Sequence, residues 1–194
     1  MTRVLASSAL LVAFVGLLPA APVPREAGKP FYFPTRVGTK WVYEANIGEG
    51  HGEAVTESEE KDGRWLVTVK ATSADFKDGD TTTVFRYAVS HTGVFMIAEG
   101  LEARDTRKDY DEPICLLKLP PTPGEEWRGD SKQDSAEFVV RKAETVKVPA
   151  GTFEAVRVDR GKDHTCWYAP GVGVIEERNG DFVNVMKSFS LPKE

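Results

Sequence analysis

The side chains of this 194-residue chain best suited to nucleophilic catalysis belong to three histidines and two cysteines. A catalytic Cys or Ser needs a His base within hydrogen-bond reach and a third group that orients the base. His51, His91 and His164 lie beside turn residues, in GHG, SHTG and GKDHT, so we expect them in solvated loops. Neither a GxSxG nucleophile elbow nor an HExxH helix occurs. The sequence therefore predicts no catalytic site and no enzyme.

Metal binding has two candidate locations. His164 and Cys166 share one face of a predicted strand and could provide half of a metal site or mimic a Cys–His dyad, but two ligands do not complete a site. The acidic segment 105–112, DTRKDYDE, offers carboxylates for calcium. It lacks the glycine-punctuated loop of a calcium motif, and its interleaved Arg107 and Lys108 favour a solvated charged connector. We therefore predict neither a metal nor another cofactor.

Aromatic residues on predicted strands give a different signal. They could line a sugar-stacking surface or an apolar cavity, or they could fill the core, because aromatic side chains are among the main contributors to burial. The candidate ligand-lining aromatics are Trp65, Phe85, Tyr87, Trp167 and Tyr168.

The N-terminal segment predicts export. An early cation precedes an apolar run over residues 4–18, and the small residues that follow fit a signal-peptidase site. The run is shorter than the roughly 20 apolar residues that a spanning helix needs. We assign residues 1–21 to a signal peptide and 22–30 to a Pro-rich linker. The mature chain is expected in the periplasm or the extracellular space, without a membrane span.

The two cysteines of such an exported chain have two possible states. Cys115 and Cys166 could form a disulfide that closes a loop of about 50 residues. Sequence spacing says nothing about the Cα separation that a bridge requires, so two buried thiols are the alternative. Both states stay open at this level.

The charge of the chain excludes some classes of partner. The formal net charge is -5, from 25 basic and 30 acidic residues, and it becomes more negative when Arg3 leaves with the signal peptide. An acidic chain has no electrostatic attraction to DNA, RNA or anionic lipid headgroups. We expect a small or lipid-like ligand or an envelope protein as the partner, and no nucleic acid.

Residues 31–194 predict a single all-β domain. Almost every segment alternates with a period of two and ends at a turn signal, and long helical periodicity is absent. The pair Asn179–Gly180 is the clearest hairpin turn, and Asp78–Gly79 marks another. About ten strands indicate an antiparallel meander that forms a barrel or a strongly curved sheet.

The sequence also predicts two duplicated halves, at about 31–99 and 117–178. FPTRVGTKW at 33–41 matches LPPTPGEEW at 119–127, because each has Pro, then Gly four residues later, then Trp three residues after that. Two further matches follow in the same order, namely GRW at 63–65 with GTF at 151–153, and Tyr87-Ala88 with Tyr168-Ala169. Chance recurrence of turns and strands in a meander is the alternative. If the halves are copies, Trp41 and Trp127 are equivalent anchors, each buried against the other half.

Four segments of the chain carry a resemblance to a known family. They are YFPTRVGTKWVYE, LLKLPPTPGEEW, VPAGTFEAVRV at 148–158 and CWYAPGVGVIEE at 166–177. Together they resemble a poorly characterised group of exported bacterial proteins related to domain-of-unknown-function family 3108, sometimes labelled TapB-like. The resemblance covers most of residues 31–189 and implies an all-β domain outside the cytoplasm, with no catalytic or ligand residues to carry over. The chain departs from the usual pattern of the family at Cys115 and Cys166.

These observations lead to one expected function and two alternatives. We expect an exported non-enzymatic β-domain that binds an apolar or envelope-derived ligand within a curved sheet. A structural or protein-interaction module of the cell envelope is the first alternative, and a hydrolase is the second. An apolar cavity favours the ligand-binding domain, whereas an exposed apolar patch over a solid core favours the interaction module. Clustered carboxylates or His in a cleft favour the hydrolase.

Overall fold

A computed structural model of the chain describes residues 31–48, 50–73, 82–102, 108–131 and 134–193. The predicted signal peptide at 1–21, the linker at 22–30 and the Asp78–Gly79 turn lie outside these residues. No helix within them is long and apolar enough to cross a membrane.

The described residues form one antiparallel sheet of twelve strands and contain no α-helix. The predicted all-β meander is confirmed, with twelve strands rather than about ten. The strands are β1 (Lys40–Ala45), β2 (His51–Lys61), β3 (Arg64–Ser73), β4 (Thr82–Ser90), β5 (Gly93–Leu101), β6 (Lys108–Lys118), β7 (Glu126–Ser131), β8 (Asp134–Val148), β9 (Gly151–Arg160), β10 (His164–Ala169), β11 (Gly173–Asn179) and β12 (Phe182–Ser190). Their order across the sheet is β6-β5-β4-β3-β2-β1-β12-β11-β10-β9-β8-β7.

The two strands at the ends of this order, β6 and β7, meet and nearly close the sheet into a barrel. The indole N–H of Trp127 on β7 donates a hydrogen bond to the carbonyl of Cys115 on β6, at 2.9 Å. Beside it, Nζ of Lys118 lies 3.1 Å from a carboxylate oxygen of Glu125. In the described part of the chain these two strands are not joined by a ladder. Side chains therefore hold this seam of the barrel together.

Inward and outward side chains alternate along the strands, as the period of two predicts. On β1, Trp41 and Tyr43 are buried and Val42 between them is exposed. On β2, however, the inward positions next to the buried Val55 are His51 and Glu53, which are polar. A strand with polar residues on its inward face lacks the usual apolar alternation. This is why the sequence did not indicate β2.

The charged connector predicted at 105–112 is corrected by the structure. Residues 108–112 begin β6, and Asp109 pairs with Ala98 of β5. Residues 105–107 lie outside the described residues. Charged side chains suit the edge of a sheet, because they discourage pairing with other chains. The charged residues 108–112 therefore belong to an end strand of the sheet rather than to a loop.

The hairpin predicted at Asn179–Gly180 is confirmed between β11 and β12, with its loop one position later. Asn179 pairs with Phe182, so Gly180 and Asp181 form the two-residue loop. Gly180 has φ of 58°, a conformation that glycine adopts without a Cβ clash. The position of this loop sets the register of β11 against β12.

The first six strands and the last six share local features. The backbone N–H of Gly38 donates to the carbonyl of Val55 at 2.9 Å, and that of Gly124 donates to the carbonyl of Val140 at 2.8 Å. The two glycines have φ of 88° and 86°. A register shift follows each valine, in the β2–β3 ladder and in the β8–β9 ladder. These features support the duplication, which stays a proposal.

The two predicted tryptophan anchors both contact the other half of the sheet. Trp41 is 2 % exposed, and its indole N–H donates to the carbonyl of Val172 at 2.7 Å. Trp127 is half-buried, stacks on Phe138 with ring centroids 5.3 Å apart, and donates to the carbonyl of Cys115 across the seam. Trp41 is thus the more deeply buried of the two.

Candidate functional site

The barrel contains a cavity of about 280 Å³ whose wall combines aromatic rings with ionisable groups. The side chains come from β1, β2, β4–β6 and β9–β12. Solvent reaches the cavity, because the side chains of Glu177 and His51 keep 34 % and 26 % of their surface exposed. The ionisable residues in the wall are Glu53, Glu99, Glu177, Arg160, His51, His164, Cys166, Tyr43, Tyr87 and Tyr168.

One wall of the cavity holds a cluster of His164, Cys166 and Glu177. His164 and Cys166 are two residues apart on β10 and so face the same side of the strand. Glu177 on β11 lies directly opposite Cys166 in the β10–β11 ladder. His164 Nε2 is 2.7 Å from Glu177 Oε1 and 3.5 Å from Cys166 Sγ. The three ligand-type atoms all lie within 4.8 Å of one another.

The geometry of this cluster is not that of a Cys–His–acid triad. In a triad the nucleophile contacts one ring nitrogen of His and the orienting carboxylate contacts the other. Here Sγ of Cys166 and Oε1 of Glu177 both approach the same nitrogen, Nε2 of His164. In addition, burial raises the pKa of the Cys166 thiol, and the Glu177 charge raises it further. A nucleophilic cysteine needs a lowered pKa, so this cluster is not built for thiolate attack.

Asn184 of β12 lies next to Glu177 in the same line of paired residues, which runs from Cys166 on β10 through Glu177 on β11. It lies opposite Glu177 in the β11–β12 ladder, lines the cavity and is 4 % exposed. Its Oδ1 is buried and has no hydrogen-bond partner among the described residues. A buried polar atom without a partner costs about 1–3 kcal/mol. Such an atom in a cavity wall points to a bound group that would satisfy it.

A second polar group of the cavity lies on β1 and β2. Nε2 of His51 is 3.2 Å from Oε1 of Glu53, and the His51 ring stacks on Tyr43 with centroids 4.9 Å apart. The Tyr43 hydroxyl donates to the carbonyl of Val174 on β11, at 2.8 Å. Two of the three histidines that the sequence predicts in loops, His51 and His164, thus lie on strands in the cavity wall. His91 is in the β4–β5 turn, as predicted.

Three tyrosines, of which Tyr43 and Tyr168 are buried and Tyr87 is half-buried, keep neutral hydroxyl groups near the cavity carboxylates. Burial raises the pKa of Tyr43, Tyr87 and Tyr168 well above 10. The charges of Glu53 and Glu177 raise the pKa of Tyr43 and Tyr87 further. At neutral pH these phenols therefore act as hydrogen-bond donors and acceptors without negative charge.

The five predicted aromatics divide between the cavity and other locations. Phe85, Tyr87 and Tyr168 line the cavity, whereas Trp65 and Trp167 do not. Trp65 packs against the core and pairs with Val89 at the start of β3.

The Trp167 side chain belongs to a different polar cluster. Its ring lies beneath the guanidinium groups of Arg157 and Arg178, at 5.7 and 5.2 Å, and its N–H donates to Glu144 at 2.5 Å. Because side chains alternate along β10, Trp167 points away from the cavity that its neighbours line.

The two cysteines lie in separate recesses, and both thiols are free. Cys166 lines the central cavity. Cys115 lies in a shallow recess beside Trp127 at the seam between β6 and β7. Of the two states that the sequence left open, the structure has free, partly buried thiols.

We expect the Cys115 thiol to react slowly with alkylating reagents. Burial raises its pKa to about 11, although the nearby Lys118 ammonium partly opposes this. At pH 8 about one thiol in a thousand is then ionised, and the thiolate is the reactive form. Iodoacetamide at pH 8, followed by peptide mass spectrometry, should label Cys115 about 100-fold more slowly in the native protein than in guanidinium chloride. Equal rates in the two states would contradict the burial of this thiol.

The sequence did not reveal most of the polar residues of the cavity. Glu53, Glu99, Glu177, Arg160 and Asn184 are ordinary strand residues in the sequence, with no motif around them. Only the register of the ladders shows which of 30 acidic residues face inward. His164 and Cys166 were the one pair whose spacing indicated a shared face.

Two solved structures resemble this fold. One is a candidate exported protein with a YmcC-like fold from Bacteroides fragilis, with 18% sequence identity and a TM-score of 0.54. The other is a candidate lipoprotein from Parabacteroides distasonis, with 14% identity and a TM-score of 0.54. Each comparison covers 84% of this chain and 100% of the other chain.

No family model and no curated protein matches the chain. The resemblance to family 3108 therefore stays a prediction. At identities of 18% and 14%, the two solved structures establish a similarity of fold and nothing finer. The chain thus shares a barrel-like β-fold with a candidate exported protein of Bacteroides fragilis and a candidate lipoprotein of Parabacteroides distasonis.

Proposed function

We propose that this protein is an exported β-domain that binds a small polar ligand in its interior cavity and that it is not an enzyme. The observation that carries the proposal is the set of ionisable groups around a cavity of about 280 Å³. Small barrels usually fill their interior with packed side chains. Keeping carboxylates and imidazoles in such a space costs stability unless they are paired. A set of polar groups around an open space is therefore a candidate binding site.

The lining favours a polar ligand over the apolar ligand expected from the sequence. Glu53, Glu99 and Glu177 provide three carboxylates, against the single guanidinium of Arg160. The aromatic rings of Trp41 and Phe33 complete the wall, and such rings also attract cations. The volume lies near the lower limit of ligand pockets, about 300 Å³. A small molecule with a positive charge, such as an amine, fits this chemistry better than a lipid.

The export part of the proposal rests on two supports. The N-terminal segment has the composition of a signal peptide. The two proteins with a similar fold are described as an exported protein and a lipoprotein. Both observations support a location of the mature protein in the periplasm or the extracellular space.

Native mass spectrometry of the mature protein, purified from its exported fraction without detergent, tests the proposal. We expect a non-covalent mass that is released when the same sample is unfolded, and its exact value identifies the class of ligand. A bare polypeptide mass in every preparation would contradict the proposal.

Removal of cavity charge should weaken ligand binding. In the double variant Glu53→Gln and Glu99→Gln, we expect the bound fraction to fall at least tenfold, because two of three carboxylates lose their charge. The matched control is the double variant Glu59→Gln and Glu60→Gln, which removes two charges from exposed positions of β2. Equal loss in the control and the cavity variant would show that net charge matters and that the cavity does not.

The interaction-module alternative has weaker support. Val37, Val42 and Ile47 are exposed large apolar side chains on and around β1. Single exposed apolar residues are ordinary on soluble proteins. The polar cavity therefore remains the feature that a function must explain.

A further inference from the structure

We propose that His164, Cys166 and Glu177 form a binding site for a divalent transition-metal ion, with Zn²⁺ as the best match. The inference goes beyond the proposed function, because the site needs only these three side chains and no organic ligand. It rests on the convergence of three ligand-type atoms, on the agreement of the nitrogen–sulfur distance with zinc geometry, and on the buried Oδ1 of Asn184, which has no partner among the described residues.

The first step is the convergence on one point. Sγ of Cys166 and Oε1 of Glu177 both approach Nε2 of His164, at 3.5 and 2.7 Å. A ring nitrogen has one bonding direction in the plane of the imidazole, so it either donates a proton or accepts one. If it donates to Glu177, it cannot also accept from the Cys166 thiol, whose remaining side-chain hydrogen bond is with Tyr168. A metal cation bound between His164 Nε2, Cys166 Sγ and Glu177 Oε1 would be coordinated by all three atoms.

The second step is the fit of the distances. Zinc binds Cys sulfur at about 2.3 Å and His nitrogen at about 2.0–2.1 Å, in tetrahedral geometry. These lengths place a ligating nitrogen about 3.6 Å from sulfur and about 3.3 Å from a carboxylate oxygen. The observed separation of nitrogen from sulfur already agrees, at 3.5 Å. The contact between His164 and Glu177, now 2.7 Å, needs to open by about 0.6 Å to reach this distance.

The third step is the choice of metal. A thiolate, an imidazole and a carboxylate together suit zinc, whereas calcium and magnesium take oxygen ligands only. Binding of the ion would release the Cys166 thiol proton to solvent, and the thiolate, a neutral His164 and an ionised Glu177 would then balance its double charge. Three protein ligands leave the fourth tetrahedral position open toward the cavity.

Asn184 is the independent observation that a bound group belongs here. It lies opposite Glu177, is 4 % exposed and lines the same cavity. Its buried Oδ1 has no partner among the described residues. A water molecule on the fourth position of the metal would donate a hydrogen bond to such an acceptor. Outer hydrogen bonds of this kind commonly support metal sites.

The test is titration of the metal-stripped mature protein with Zn²⁺ alone, followed by calorimetry. We expect saturation at one ion per chain. The variant Cys166→Ser should bind at least tenfold more weakly, and Glu177→Gln should also lose affinity. The control Cys115→Ser, which alters the thiol outside the cluster, should bind like the wild type. Glu60→Gln, which removes a charge from an exposed position of β2, should also keep its zinc affinity.

Titration with Co²⁺ gives a second, spectroscopic readout. Cobalt bound through Cys166 produces a thiolate-to-metal charge-transfer band in the near ultraviolet, and Cys166→Ser should lack it. Thermal unfolding without metal establishes whether each variant is folded. The absence of saturable Zn²⁺ binding by the wild type, or equal binding by Cys166→Ser, would overturn the metal site. Release of an organic mass in native spectrometry would still support the proposed function in that case.

Discussion

Replacement of Trp41 by alanine should lower the free energy of unfolding by about 3–5 kcal/mol, the usual cost of truncating a large buried aromatic. Trp41 is 2 % exposed and packs with Phe33 and Phe189, with ring centroids 5.8 and 6.1 Å away. The change creates a cavity in the core and removes the donor to the carbonyl of Val172. Urea denaturation followed by circular dichroism measures the loss.

Two further variants separate the contributions at this position. Trp41→Phe keeps a ring in the core but removes the N–H donor to Val172, so we expect a smaller loss, about 1–3 kcal/mol. Trp127→Ala is the matched variant in the second half, and it should cost less than Trp41→Ala because Trp127 is only half-buried. If Trp41→Ala lowered stability by less than about 1 kcal/mol, the anchor role would be wrong.

Replacement of Gly93 by alanine is the second change with a large expected effect. A Cβ at this position would lie 2.5 Å from the carbonyl oxygen of Leu117 and 3.0 Å from the ring of Phe95. The oxygen belongs to the backbone of β6, so relief requires a shift of β5 against β6. We expect a loss of about 1–3 kcal/mol, as for other overpacked positions. Thermal and urea unfolding measure it.

Gly52→Ala is the matched control for this strain. Gly52 also lies on a strand, but a Cβ there meets only the carbonyl oxygen of Trp41, at 3.9 Å, which is an ordinary contact. Alanine loses less backbone entropy than glycine on folding, so this variant should be as stable as the wild type or slightly more stable. Similar losses in both variants would show that glycine is needed in these strands for a reason other than space.

The fold was largely predictable from the sequence, and the exceptions have a physical cause. Alternation of apolar and polar residues indicates a strand whose inward face lies in a core. β2 fails that test, because His51 and Glu53 face a polar cavity. The end strand β6 begins with a charged segment. Without knowledge of the strand order, the sequence of this segment predicts a loop. The polar cavity beside β2 and the edge position of β6, rather than weak strand propensity, explain why the sequence did not indicate these strands.

The candidate site was predictable only in part, because it depends on register. The sequence placed His164 and Cys166 on one face but could not add Glu177. With Asn179 and Gly180 as the loop, Glu177 would lie opposite Phe182, two positions from its observed partner Asn184. A shift of two residues keeps each side chain on its face while it changes every neighbour. The positions of Glu177 and Asn184 beside Cys166 are therefore known only from the observed register of the ladders.

The pairing of β1 with β12 has a consequence for the order of events in folding. The ladders between β1 and β6 and between β7 and β12 join strands that follow one another along the chain. The β1–β12 ladder instead joins Lys40 to Ser190, from opposite ends of the domain. Contacts between distant parts of a chain form slowly, because loop closure must precede any gain from them. The two half-sheets are thus expected to form first as separate meanders, and their joining along β1 and β12 is the slow step that encloses the cavity.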